Sequence, residues 1–188
     1  MNCTVASEFI RNLFNFSVKE LDAEAAKAPI GAEGVFLLPF FNGERTPNLP
    51  HGKASITGMT TANTNRANIA RAALESAVFS MRTGLDTFRK HGFTPKELSL
   101  IGGGAKSPLW RQIVADIMNL PVRLPECSEA AAFGAALQAL WCMKKAAGEN
   151  VTMGDITDKF VKMDESKKTV PVPENVAAYE KVFAEYEK

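Results

Sequence analysis

The sequence predicts an α/β fold, and three observations carry that expectation. Apolar runs of strand length alternate with segments of helical periodicity through the centre of the chain. Residues 98–112, LSLIGGGAKSPLWRQ, read as a buried strand (Leu98, Leu100, Ile101), three glycines (Gly102, Gly103, Gly104) and a helix opened by Ser107 and Pro108. The length of 188 residues, with 46% hydrophobic and 23% charged side chains, suits one sizeable globular domain that needs no staples.

The elements follow in order. Residues 7–14 have a helical pattern. Ser17-Val18-Lys19-Glu20 is a capping box that starts a second helix, and Pro29-Ile30-Gly31 ends it. Residues 35–41 (VFLLPFF) predict a strand, then a Gly- and Pro-rich loop covers 42–53, and 54–60 (ASITGMT) alternates as another strand. Residues 65–89 predict the longest helix. Its apolar positions Ile69, Ala73, Ala77, Met81, Leu85 and Phe88 recur every three or four residues, and Gly92 stops it. Thr94-Pro95-Lys96-Glu97 is a further capping box and predicts one short helical turn. After the glycine corner come a helix over 109–119, a short strand over 122–124 and an Ala-rich helix over 129–147. Residues 152–160 predict a short helix, and Val176, Tyr179, Phe183 and Tyr186 mark the apolar face of a last one. Trp110 and Trp141 read as core aromatics, and Met59, Met81, Met118 and Met143 as core filler.

Composition narrows the function. A net charge of +1, from 22 basic and 21 acidic residues, offers no electrostatic argument for nucleic acid or for a membrane surface. Cys3, Cys127 and Cys142 are odd in number and lack CxxC spacing, which fits a reducing compartment. His51 and His91 are isolated, so no metal site is expected. A secretory h-region is missing, and no apolar run approaches ~18 residues, so a cytoplasmic location is expected.

The glycine corner carries the chemistry. Glycine reaches φ > 0 and has no Cβ, so bare backbone N–H groups can approach a polyphosphate. Two named phosphate motifs fail here. Ala105 precedes Lys106-Ser107 where a Walker A loop needs Gly, and Ser107 stands where a dinucleotide fingerprint needs its last Gly. Taken alone, the triplet reads equally as an ordinary strand-to-helix turn.

Four segments together resemble the C-terminal half of the FGGY carbohydrate kinases. Ala54-Ser55-Ile56-Thr57-Gly58-Met59, then eight residues, Asn68-Ile69, two residues and Ala72-Ala73-Leu74-Glu75 are similar to the family's second signature. Leu38-Pro39-Phe40-Phe41-Asn42-Gly43-Glu44-Arg45-Thr46-Pro47 resembles its LPxxxGERTP loop, which points to the members that act on ketopentoses. Gly102-Gly103-Gly104-Ala105-Lys106-Ser107, with Trp110-Arg111-Gln112 and Ala115-Asp116, is the third segment. Glu129-Ala130-Ala131-Ala132-Phe133-Gly134-Ala135-Ala136, similar to the family's closing helix, is the fourth. Phe133 and Pro108 depart from the usual pattern without removing a chemically required group.

The resemblance implies an actin-like, ribonuclease H-like domain with a mixed sheet flanked by helices. It implies that residues 1–147 form most of the nucleotide-binding domain and 148–188 a helical extension packed on it. It implies ATP or ADP with Mg2+ as cofactor, and a ketopentose and the protein's own N-terminal sugar-binding domain as partners. On this reading that domain, the first strands and the catalytic Asp lie upstream of Met1, so these residues supply no catalytic group and no metal ligand, and alone they are expected to be inactive. Gly103, Gly104 and Ala105 would turn their N–H groups to the α-phosphate and ribose. Ser107 reads first as a helix cap and second as a ligand contact. Ala130, Ala131 and Gly134 would flank adenine, or else simply pack. Asn2 and Thr4 fall in a segment that approaches the nucleotide. Glu44 and Arg45 could serve the sugar, with Arg45 as a loop strut the plainer use. A homodimer, another sugar or polyol kinase of the family, and a non-enzymatic module of the same fold stay open.

Overall fold

The computed structural model describes residues 4–45 and 48–188, so Asn2, Cys3 and the Thr46-Pro47 pair lie outside the described residues. Helix α3 (Arg66–Lys90) is the axis on which the two N-terminal helices, the first strand and the helix after the glycine corner rest. The Asn65 side chain accepts the Asn68 N–H at 2.9 Å and caps its start, while Gly92, at φ +84°, follows its end. From Ala70 to Phe79 every residue of α3 is buried, so the helix is wrapped on all sides.

Helices α1 (Val5–Leu13) and α2 (Val18–Ala25) pack against α3 through Ala6, Ile10, Leu21 and Ala25. The capping box of α2 forms in full: Glu20 N–H reaches Ser17 Oγ, and Ser17 N–H reaches the Glu20 carboxylate. Strands β1 (Phe36–Leu38) and β2 (Ser55–Thr57) pair antiparallel, with Phe36 opposite Thr57. β1 stops at Leu38 because Pro39 has no N–H for a ladder. Gly58 follows β2 at φ +73°, and a Cβ there would stand 1.9 Å from the Gly34 carbonyl oxygen.

Strands β3 (Leu98–Ser99) and β4 (Val122–Arg123) pair in parallel, Leu98 beside Val122. Helix α4 (Pro108–Met118) joins them and packs on α3, and Asn119 ends it in the left-handed conformation. The sheet is therefore present as two short ladders. The turn expected over 94–97 is absent: β3 begins at Leu98, and the Glu97 carboxylate accepts from Arg123 Nη1 at 3.3 Å instead of capping.

Helix α5 (Ala130–Ala146) is apolar on most sides, yet only Leu137 on it is buried. It rests on α6 (Met153–Phe160), whose Ile156 is buried, and Trp141 Nε1 donates to the Val151 carbonyl at 3.1 Å. Trp141 and Trp110 are half-buried, Met118 is buried, and Met59 and Met143 are exposed, since β2 and α5 turn those faces away from the core.

Helix α7 (Pro173–Tyr186) closes the molecule by packing on α4 and α3. Its Tyr179, 2% exposed, completes a buried polar cluster. Glu75 Oε1 accepts from Arg71 Nε at 2.6 Å, from the Tyr179 hydroxyl at 2.7 Å and from Gly31 N–H at 3.2 Å. Arg71 Nη2 donates to the same hydroxyl at 2.6 Å. Burial pushes the Glu75 carboxyl above the usual carboxylate range, against the opposing pull of Arg71. A second buried carboxylate, Asp116, accepts Val172 N–H at 2.8 Å and Asn175 Nδ2 at 2.9 Å, which fixes the start of α7.

Candidate nucleotide site

Beyond β3 the chain passes Leu100 and Ile101 and reaches Gly102 at φ +90°, ψ −176°, a conformation that residues with a Cβ avoid. A 3-10 turn, Gly103–Lys106, follows, and then α4 begins. Ser107 Oγ accepts the Trp110 N–H at 3.0 Å and Pro108 occupies the first helical position, so the acceptor capacity of Ser107 serves the cap. Ala105 is buried, and its N–H donates to the Gly102 carbonyl at 3.2 Å. The N–H groups of Gly103 and Gly104 meet no acceptor among the described residues. A Cβ on Gly103 would touch nothing within 4 Å, whereas one on Gly104 would stand 2.9 Å from the Trp110 ring. Gly103 thus faces open space, and Gly104 is small because an indole lies against it.

A pocket of about 220 Å³ opens beside the turn. Gly102, Ala105, Lys106 and Arg111 line one side, and residues 125–128 line the other. Leu100 and Ile101 follow β3, and Leu124 and Pro125 follow β4, so the pocket lies beyond the carboxyl ends of both parallel strands. Open α/β sheets bind their ligands at that edge. Lys106 and Arg111 face one carboxylate there, Glu126, while Lys167 on the rim is paired with Asp164 at 2.6 Å. The bonds from Lys167 and Ser166 hold the Asp164 carboxyl down to about 2.

Of the residues singled out from sequence, Ala105 lines this pocket. Gly103, Gly104, Ser107, Ala130 and Gly134 stand outside its lining. Ala130 is half-buried at the first turn of α5; Gly134 is exposed, and a Cβ on it would meet nothing within 4 Å. Thr4, the other residue singled out at the N-terminus, is exposed just before α1. Sequence reasoning gave no role to Arg111, Ser128 or Lys167. The signal available for the loop was its place after the second of two parallel strands.

Among the described residues the Arg45 guanidinium has no hydrogen-bond or ion-pair partner. The side chain is exposed, and its own backbone N–H donates to Glu44 Oε1 at 2.8 Å. The described part of the loop is closed by paired backbone bonds between Glu44 and Leu49, both 2.9 Å.

The model of the C-terminal domain of the FGGY family of carbohydrate kinases matches residues 6–143. The chain belongs to that family. It is similar to a xylulose kinase of Haemophilus influenzae, 45% identical over 186 residues, which is 99% of this chain and 37% of that protein. It matches the structure of a ligand-bound xylulose kinase from Lactobacillus acidophilus with a TM-score of 0.85 and 25% identity, over 97% of this chain and 36% of that one. A Plasmodium falciparum glycerol kinase with ADP, 22% identical, shares the fold at a TM-score of 0.76, over 98% of this chain and 35% of that one. The chain spans just over a third of the length of the relatives it matches. Its fold is the actin-like, ribonuclease H-like architecture of these sugar kinases. Among the described residues no helix is long and apolar enough to cross a membrane.

Proposed function

We propose that these residues form most of the nucleotide-binding domain of a cytoplasmic xylulose kinase, which transfers a phosphoryl group from MgATP to D-xylulose. The likeness to the Haemophilus influenzae xylulose kinase, 45% identical along 99% of this chain, carries the proposal. The partners are the nucleotide, a ketopentose and the protein's own sugar-binding domain. Residues 1–147 make up the nucleotide-binding body and 148–188 an extension held on it by α7.

Phosphoryl transfer depends mainly on positioning and on electrostatic stabilisation of the moving group. The glycine corner fits a nucleotide on three counts: the unspent N–H groups of Gly103 and Gly104, the open space at Gly103, and the positive end of α4. The two N–H groups hold the α-phosphate and ribose. Buried Ala105 contributes apolar surface rather than a donor, and Ser107 fixes the helix behind the turn. Ala130 and Gly134 leave room for the flat base beside α5. Mg2+ arrives on the nucleotide, held mainly by its phosphate oxygens, and among the described residues no group of three His, Cys, Asp or Glu side chains converges that could hold a metal by itself. No residue of this chain is assigned the base that takes the sugar hydroxyl's proton. A missing base costs on the order of 10²–10⁴ in rate, so these residues alone turn over sugar at least that much more slowly than an enzyme that has one.

Calorimetric titration of the 188-residue chain with MgADP tests this, with Gly103→Ala as the probe. The added methyl meets no protein atom, so melting stays unchanged while nucleotide affinity falls at least about tenfold, the scale of one lost hydrogen bond to a charged group. A well-folded chain that binds MgADP equally with and without the methyl refutes the placement.

A further inference from the structure

Pro108 creates a problem that Arg111 solves. In the 3-10 turn each carbonyl accepts from the N–H three residues ahead, as Gly102 does from Ala105 at 3.2 Å and Gly104 does from Ser107 at 3.0 Å. The next such partner, for the carbonyl of Ala105, is residue 108, and proline has no N–H. Ala105 is 5% exposed, so little water reaches it to replace that donor. Arg111 Nη1 takes the place of the missing amide, 2.9 Å from the Ala105 carbonyl oxygen and 3.5 Å from that of Lys106. The side chain holds this pose even though its Nε is buried and meets no acceptor among the described residues. An unpaired buried donor is costly, so the carbonyl bond, not the fit of Nε, sets the orientation.

We infer that Arg111 is a positioning residue of the nucleotide turn. Tied from α4, the carbonyl of Ala105 stays turned toward the helix, and the N–H groups of Gly103 and Gly104 stay turned away from it. Arg111 then acts on the nucleotide through the turn, and it forms a compensating pair with Pro108. The inference rests on the nucleotide reading of the glycine corner.

The test is a two-residue cycle on the full chain. Arg111→Met keeps the volume and removes the donors; Pro108→Ala restores the amide. Amide hydrogen exchange over 103–106 and calorimetric titration with MgADP are read on each variant. In Arg111→Met the Ala105 amide, which closes the turn onto the Gly102 carbonyl, exchanges faster than in the wild type, those over 113–118 are unaffected, and the MgADP Kd rises about tenfold. Adding Pro108→Ala recovers most of both losses. Turn exchange and Kd unchanged in Arg111→Met overturn the inference, as does equal damage with and without Pro108→Ala. Wild-type chain that binds no MgADP overturns the nucleotide reading, and with it this role of Arg111; wild-type binding with an inert Arg111→Met overturns the inference alone. Arg111→Leu, which likewise removes the donors, is read in the same way if the Met variant does not fold.

Discussion

Replacing Tyr179 by Phe removes one oxygen from the most enclosed polar cluster of the molecule and creates no cavity. That hydroxyl donates to Glu75 Oε1 at 2.7 Å and accepts from Arg71 Nη2 at 2.6 Å, and Glu75 is only 1% exposed. A hydrogen bond to a charged group contributes about 1.5–3 kcal/mol. Glu75 keeps Arg71 and the Gly31 amide, so the two losses do not add in full and the expected cost is about 3 kcal/mol. The ring keeps its edge-on packing against Phe79, with centroids 6.2 Å apart. For a chain of this size about 3 kcal/mol lowers the melting temperature by roughly 6–12 °C, which circular dichroism measures directly, with urea unfolding as a second determination. A triple replacement, Arg71→Met with Glu75→Leu and Tyr179→Phe, returns most of the loss, because removing a whole buried ionic group costs less than orphaning part of it. A Tyr179→Phe shift under about 1 kcal/mol, or a triple variant less stable than the single one, refutes this account of the cluster.

Other expectations follow from the same geometry. Gly58→Ala places a methyl 1.9 Å from the Gly34 carbonyl oxygen at positive φ and costs about 2–4 kcal/mol, seen as a lower urea midpoint with unchanged slope. Gly104→Ala pushes on Trp110 and costs about 1–3 kcal/mol in the absence of nucleotide, with a changed tryptophan emission; unchanged emission and stability count against that packing. The Asp164 carboxyl is depressed in the folded state, so its contribution is present above its ordinary value of 3.8 and is lost as pH falls through about 2. Its carboxyl resonance titrates near 2, and in Lys167→Met the midpoint rises toward 3.8; a midpoint that does not move removes Lys167 as the cause.

The local features of this fold could be read from the chain. The caps at Ser17 and Ser107 act within three residues, and each formed. The box at Thr94 failed because its Glu97 found Arg123, 26 residues away, which no local pattern shows. Arg71 and Glu75 look like a solvated helix pair one turn apart. Gly31 and, on α7, Tyr179 reach them from 44 and more than 100 residues away, and nothing in their neighbourhood signals it. The glycine corner was legible because it is a contiguous string. Its strut was not: the pairing of Pro108 with Arg111 is visible only once the carbonyl of Ala105 has a direction. The pocket wall over 125–128 depended likewise on β4 lying beside β3.

The cluster under α7 also sets a timetable. Tyr179 is joined to Arg71 and Glu75 across 108 and 104 residues, and the chain is made from its first residue to its last. At roughly 5–20 residues per second, several seconds separate the synthesis of α3 from that of its last polar partner. Through that interval the middle of α3, destined to be enclosed on every side, holds a charged pair that lacks its final donor. Long-range closures of this kind come late in folding. A nascent chain therefore waits, with its central helix incompletely sealed, until α7 arrives.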